Sequence, residues 1–322
     1  MSNVETAPEE VVCGGDAAAP ELVTPRDVPL GGPRAMTVRR TLPRRTRSLI
    51  GAWCFVDHYG PDRVARTGGM AVPGHPHTGL ATVSWLFTGE VEHRDTTGAH
   101  AIVRPGELNL MTAGSGIAHS EFSTPGTEVL HGVQLWLALP AAHRATAPAF
   151  THHAPPRVQA GPAALRVFLG SLAGSTSPVA TFSPLLGAEV VLPAGATVRL
   201  DVDPGFEHGA LVDTGSARVA GTGAAPGELV YTPPGRTTLE LTAGDDGARL
   251  VLLGGRPLGE RIVMWWNFVG ASHDEVAAYR EQWERERAAG GDPGGRFGAF
   301  PQAWTSTLPA PELPNARLTP RG

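Results

Sequence analysis

His75-Pro76-His77, followed after 41 intervening residues by His119-Ser120-Glu121, decides how this chain is read. Three imidazoles and one carboxylate make a ligand set for a divalent transition metal. Within each half the two ligand residues are two apart. On an extended segment such residues share a face, so each half can aim both side chains into one cavity. Either half alone is a common accident. His273-Asp274-Glu275 is a second His-x-Glu, and it reads as a helix start, with Ser272 and Glu275 forming a capping box. The weight lies in two halves that both sit in β-like sequence with turn residues between them. Pro76 cannot donate to a sheet ladder, which puts the first half at a strand start or an edge. Gly114 and Gly116 would let the chain bend toward His119. The set His75, His77, His119 and Glu121 suits Fe(II), Mn, Ni, Cu or Zn, and four protein ligands in an octahedron leave two positions open. Glu121 is the one carboxylate placed at that centre, so it is also the candidate for a catalytic role.

Working outward, the sequence on both sides is β-rich. Gly and Pro together make up 71 of 322 residues, and long helices tolerate neither well. Strands are expected at Thr82 to Phe87, Ala101 to Val103, Glu107 to Met111 and Val129 to Leu139. The last has apolar residues on both faces, as a doubly buried strand does. A second β-rich block runs from about 163 to 256. Pro105-Gly106-Glu107-Leu108 recurs as Pro226-Gly227-Glu228-Leu229, an offset of 121, which suggests two similar β units. The offset carries His75, His77, His119 and Glu121 onto Ala196, Val198, Glu240 and Thr242, so the second unit lacks the ligands. The expected organisation is a mobile leader over 1–34 that becomes ordered near its end, a metal-binding unit over 35–145, a linker over 146–162, a second unit over 163–270, and a helix with a wrapping tail over 271–322.

Composition narrows the function. The net charge is −5 with no strongly basic face, so nucleic acid is not an expected partner. All 26 basic residues are Arg, which excludes Schiff-base lysine chemistry and a phosphate-loop lysine. No apolar run approaches the ~20 residues that span a bilayer, and Met1 to Glu10 is acidic and polar, so a soluble cytoplasmic protein is expected. Cys13 and Cys54 are expected to be unpaired thiols of a reducing compartment. Other candidates read as structural. Arg39, Arg40, Arg44, Arg45 and Arg47 look like a solvated edge, with an anion or partner contact as the alternative. Asp57-His58 reads as a turn at a strand end, or else as a pair behind a metal ligand. Glu92-His93 and His100 read as solvated, His131 as a buried hydrogen-bonded histidine, His152-His153 as exposed linker, and Trp265-Trp266 as core.

The ordered series His75-Pro76-His77-Thr78-Gly79, Gly89-Glu90-Val91-Glu92-His93-Arg94-Asp95, Pro105-Gly106, Met111-Thr112-Ala113-Gly114, His119-Ser120-Glu121 and His131-Gly132-Val133-Gln134-Leu135-Trp136 resembles the pirin family. Asp57-His58-Tyr59-Gly60-Pro61 and Gly255-Arg256-Pro257-Leu258-Gly259-Glu260 fit it too, so the resemblance covers about 39 to 285. It implies an all-β fold of two tandem cupin barrels packed face to face, with metal, usually iron, only in the first. It carries the family's ligands onto His75, His77, His119 and Glu121. It implies either ring-opening dioxygenation of a small aromatic substrate such as quercetin, or a metal-dependent regulatory or redox-sensing role on a protein partner. The chain departs from the family pattern at Thr78 and Ala81, where Arg and Glu are frequent. Ala81 is expected to remove a carboxylate close to the metal.

Overall fold

The structure, a computed structural model, describes residues 19–30 and 36–322. Cys13 lies outside the described residues; Cys54 is a buried free thiol. The first barrel is made of two facing sheets. One has seven strands in the order 149–153, 108–112, 80–88, 129–138, 53–63, 36–42 and 26–30. The other has four, in the order 71–77, 117–123, 91–95 and 100–103. The second barrel is one nine-stranded sheet whose spine runs 21–23, 229–232, 207–219, 238–255, 185–192, 163–169 and 158–160. This is an all-β chain of two cupin domains with a short C-terminal helix, His273–Ala288. Ser272 caps that helix by accepting from the Glu275 backbone N–H at 3.2 Å, so His273-Asp274-Glu275 is indeed a helix start.

The barrels meet face to face across an apolar core. Trp53, Trp85, Leu135 and Leu137 from the first pack with Phe168, Leu185, Leu211, Val251 and Leu253 from the second. Burying this surface at roughly 25 cal/mol per Å² is what joins the two units. Polar groups in the seam are paired. Trp53 Nε1 donates to the carbonyls of Leu186 (3.2 Å) and Gly254 (3.1 Å), and Trp85 Nε1 donates to Glu189 (3.2 Å).

Segments outside the expected strands are more ordered than their local sequence shows. The end of the leader is ordered: Glu21–Val23 pairs with Leu229–Tyr231 of the second barrel, and Arg26–Leu30 pairs with Met36–Arg40 of the first. The linker over 146–162 also forms strands. Ala149–His153 adds to the edge strand Leu108–Thr112, and Val158–Ala160 pairs with Ala163–Leu165. Within the arginine cluster Arg45 is exposed, but Arg40 and Arg47 are not part of a solvated edge. Buried Arg40 makes a two-pronged ion pair with Asp57 (2.7 and 2.8 Å) and lies over the Phe55 ring. Arg47 reaches Glu21 (2.9 Å) and stacks on Tyr231 of the second barrel. These guanidiniums tie strands to one another, which the local sequence cannot show.

The tail does wrap over the body. The Leu308 N–H donates to the Gly74 carbonyl (2.8 Å), and Trp283 Nε1 donates to the Leu308 carbonyl (2.9 Å). Trp265 and Trp266 are core, packed with Phe268, Val276, Trp283 and Phe297 beneath the helix.

Candidate metal centre

His75 and His77 lie at the end of Ala71–His77, the edge strand of the four-stranded sheet, as Pro76 required. The neighbouring strand Ile117–Ser123 sets His119 opposite His75, with their rings 4.3 Å apart. A bulge between His119 and Glu121 then changes the aim of the carboxylate. Gly114 closes the two turns on each other. Its φ of +53° suits glycine, and its carbonyl accepts from the Gly79 N–H at 2.8 Å. Thus the turn after His77 and the turn before His119 are tied together.

All three imidazoles are fully buried. His77 Nε2 and His119 Nε2 stand 3.1 Å apart. Two nitrogens bound at ~2.1 Å and ~90° to one ion would be ~3.0 Å apart, so the spacing fits a shared cation. His75 Nδ1 is held by the Pro73 carbonyl (2.9 Å), while its Nε2 is buried with no partner. An orphaned acceptor beside two converging ones is what a cation would satisfy. Burial lowers the pKa of His75 to about 3 and those of His77 and His119 well below the usual histidine range, so all three are neutral and able to ligate at pH 7. Glu121 is buried beside them. Its carboxylate comes within 4.8 Å of ring nitrogens of His119 and His93, and it accepts from Ser84 Oγ (3.3 Å). The four expected residues therefore meet in one barrel, with the three histidines as the tight group and Glu121 adjoining through His119. Trp136 walls the site, edge-on to His77 at 5.1 Å and stacked on Phe55 at 3.9 Å.

Several other readings change. Ala81 lies in the apolar core between the barrels, near Leu137 and Leu185, whereas Ser84 on the same strand reaches Glu121. Side chains three apart on a strand face opposite ways, so a carboxylate at 81 would not have stood at the centre. His93 is buried, not solvated: its Nδ1 is 3.3 Å from His119 Nδ1, its Nε2 is 2.9 Å from Asp95, and its ring stacks on Phe150. His93-Arg94-Asp95 has the same i, i+2 spacing as the ligand pairs, and that signal could have revealed it. Asp57-His58 is not a turn but part of the strand Trp53–Arg63, and neither residue stands behind a ligand.

His58 instead joins His131 and Asp213 in a second buried group that spans the two barrels. Asp213 Oδ1 accepts from His58 Nε2 (2.7 Å) and His131 Nε2 (2.6 Å), and Oδ2 accepts from Arg249 Nε (2.5 Å). Burial would raise the Asp213 pKa, but the two imidazole bonds outweigh it and hold the carboxyl far below its usual range. The Arg249 guanidinium already offsets the carboxylate charge, and His58 Nδ1 has no partner to support it as a metal ligand. The group is a hydrogen-bonded clamp between barrels. His131 thus proves a buried, bonded histidine as expected.

The comparisons agree with this architecture. Residues 35–137 match the Pirin family model, and residues 187–289 match that of the Pirin C-terminal cupin domain. The chain belongs to the pirin family. It is 45% identical over 293 residues, 91% of this chain and 90% of the other, to a Pseudomonas aeruginosa protein named "Putative quercetin 2,3-dioxygenase". The crystal structure of a quercetin 2,3-dioxygenase from Acinetobacter baumannii superposes with a TM-score of 0.85 at 34% identity, covering 92% of this pirin and 96% of that chain. A bacterial pirin from Escherichia coli in complex with nickel(II) shares the fold, with a TM-score of 0.59 at 18% identity over 74% of this chain and 100% of that one. Among the described residues, no helix is long and apolar enough to cross a membrane.

Proposed function

We propose that this pirin holds one divalent transition metal, iron(II) in the cell, through His75, His77, His119 and Glu121, and that it is a dioxygenase of the quercetin 2,3-dioxygenase type. The convergence of three buried, neutral imidazoles on one point supports the metal reading, and the likeness to proteins carrying that dioxygenase name supports the substrate class. When bound, the metal supplies Lewis acidity and a template on which a flavonol hydroxyl and dioxygen are brought together. The residues of the chain do the rest. Neutral histidines give the centre a net positive charge that favours an anionic substrate oxygen. Glu121 is the carboxylate beside the three histidines, so it is the group that takes up the hydroxyl proton. Trp136 lies against the ligand His77, and Phe55 and Arg40 stacked behind it hold its ring in place.

The test is direct. Metal-free protein is loaded in turn with iron(II), manganese, nickel and copper, supplied with a flavonol in air, and its products are weighed by mass spectrometry. Ring-opened product with at least one metal is the expected result. Absence of turnover with all four overturns the dioxygenase reading while leaving metal binding to be judged by metal analysis.

A further inference from the structure

We infer that His93 and Asp95 form a relay that fixes which nitrogen of His119 faces the metal, making them positioning residues for the centre. The inference rests on the metal reading above and extends it to two residues that do not touch the ion.

The Asp95 carboxylate is buried and only accepts. One oxygen is saturated by the turn that follows it. Asp95 Oδ1 accepts from Thr97 N (2.8 Å), Thr97 Oγ1 (2.6 Å) and Ala99 N (3.2 Å). The other oxygen, Oδ2, is 2.9 Å from His93 Nε2, so His93 must donate there and carry its proton on Nε2. Two imidazole Nδ1 atoms in contact need one donor and one acceptor, and with His93 already donating from Nε2 its Nδ1 takes the acceptor's part with a lone pair. That lone pair faces His119 Nδ1 at 3.3 Å, so His119 must be the donor and carry its own proton on Nδ1. His119 Nε2 is therefore left as a lone pair, and it is the atom that looks toward His77 Nε2. One anchored carboxylate thus dictates the tautomer of two histidines in series, and the outcome is the ligating form of His119. The strand register makes this possible: Asp95 lies opposite His119 and His93 opposite Glu121. The stack of His93 on Phe150, at 4.7 Å, holds the ring in plane.

The relay makes an unusual demand on an isosteric change. In Asp95→Asn the amide oxygen can keep the three turn donors, which puts the NH2 toward His93 Nε2. Every step then reverses. His93 Nε2 becomes the acceptor, His93 Nδ1 the donor, His119 Nδ1 the acceptor, and the His119 proton moves to Nε2, where it blocks the metal. The same tautomer logic makes an Asp-to-Asn change behind a catalytic histidine far more damaging than its size suggests.

The experiment uses the full chain stripped of metal. Nickel(II) affinity is measured by competition with a chelator for wild type, Asp95→Asn and His93→Phe. The tautomer of His119 is read from 15N-histidine NMR of the metal-free protein. The expected result is an Nδ1–H His119 in wild type, an Nε2–H His119 in Asp95→Asn, and nickel affinity lowered roughly 10–100-fold in both variants with the metal-free melting temperature retained. A merely structural role would lower the melting temperature without moving the tautomer. An Nε2–H His119 in wild type overturns the relay even if neither variant folds. So does nickel affinity in a folded Asp95→Asn within twofold of wild type. If wild type itself takes up no nickel, it is the metal reading that falls, and the NMR result still decides the tautomer.

Discussion

The two barrels share a strand plan and differ in what they enclose. In the first, Leu108–Thr112 lies beside Leu80–Thr88, which lies beside Val129–Ala138; in the second, Leu229–Thr232 lies beside Glu207–Val219, which lies beside Thr238–Gly255. Leu108 and Leu229 are 121 apart, so the Pro-Gly-Glu-Leu echo marks equivalent strands. The interiors diverge. Where the first barrel points His119 and Glu121 inward, the second points Leu239, Leu241 and Ala243 into an apolar core with Val198 and Leu250. The fixed offset pairs His119 with Glu240, a match of two polar residues. Glu240 in fact faces outward and pairs with Arg199 at 2.8 Å, with those side chains 44% and 76% exposed. A one-residue slip in a strand exchanges its faces, so a sequence offset can be right about the strand and wrong about the side. The second barrel has not kept a weakened site; it has closed the space with hydrocarbon.

The sharpest break of that contrast is His77→Ala. Metal analysis of the purified protein should fall from one bound ion per chain to none, a loss of affinity beyond ~100-fold, since even residues behind a ligand cost 10–100-fold. Retention of a full equivalent would move the metal elsewhere in the chain. Next in size is the clamp between the barrels. Asp213→Ala leaves Arg249 and two imidazoles without their acceptor and should cost about 3 kcal/mol in chemical denaturation, the lower end for a broken buried pair because Arg249 is 25% exposed. The pH dependence has a definite sign. The folded Asp213 carboxyl titrates below its unfolded value, so the stabilisation is fully present above the ordinary carboxylate range and is lost progressively as pH falls from that range toward the lower folded value. Wild type should therefore approach Asp213→Ala in stability as the solution is acidified. A gap that is constant down to pH 3 would contradict the clamp.

What was legible in the sequence was whatever repeats at short range. His75-x-His77 and His119-x-Glu121 announced themselves because a strand puts alternate residues on one face, and Pro and Gly punctuated the strands around them. His93-x-Asp95 carried the same signal and was obscured by charged Glu92 and Arg94, which belong to the outer face: Glu92 pairs there with Arg94 and His100. Other features were invisible in principle. The acceptor of His58 is Asp213, 155 residues away, and the partner strand of Glu21–Val23 lies in the other barrel. Nothing local encodes such pairings; only the packing of two complete barrels creates them. Ala81 shows the opposite error, in which family pattern was taken for position although strand parity turns that side chain toward the second barrel.

Two smaller changes sharpen the comparison from the side of the second barrel. Leu241 is fully buried in its apolar core, so Leu241→Ala should cost 2–5 kcal/mol, about 3 as a central value, with the metal content of the protein unchanged. Loss of metal in that variant would mean that the barrels are not separable in function. His208 tests the same core through pH. It is buried near Gly254 with both ring nitrogens unpartnered, and burial pushes its pKa down to about 4. An unfolded histidine titrates near 6.5, so between these values the unfolded chain binds a proton that the folded chain refuses. Stability must then fall as pH drops from about 6.5 toward 4 and level off below. His208→Leu removes that proton and the unpaired imidazole together. The variant should match or slightly exceed wild type at pH 7.5, and its advantage should widen by about 1–2 kcal/mol at pH 5. An advantage that does not change with pH would show that His208 finds a partner in solution, and that the second barrel still holds a polar site.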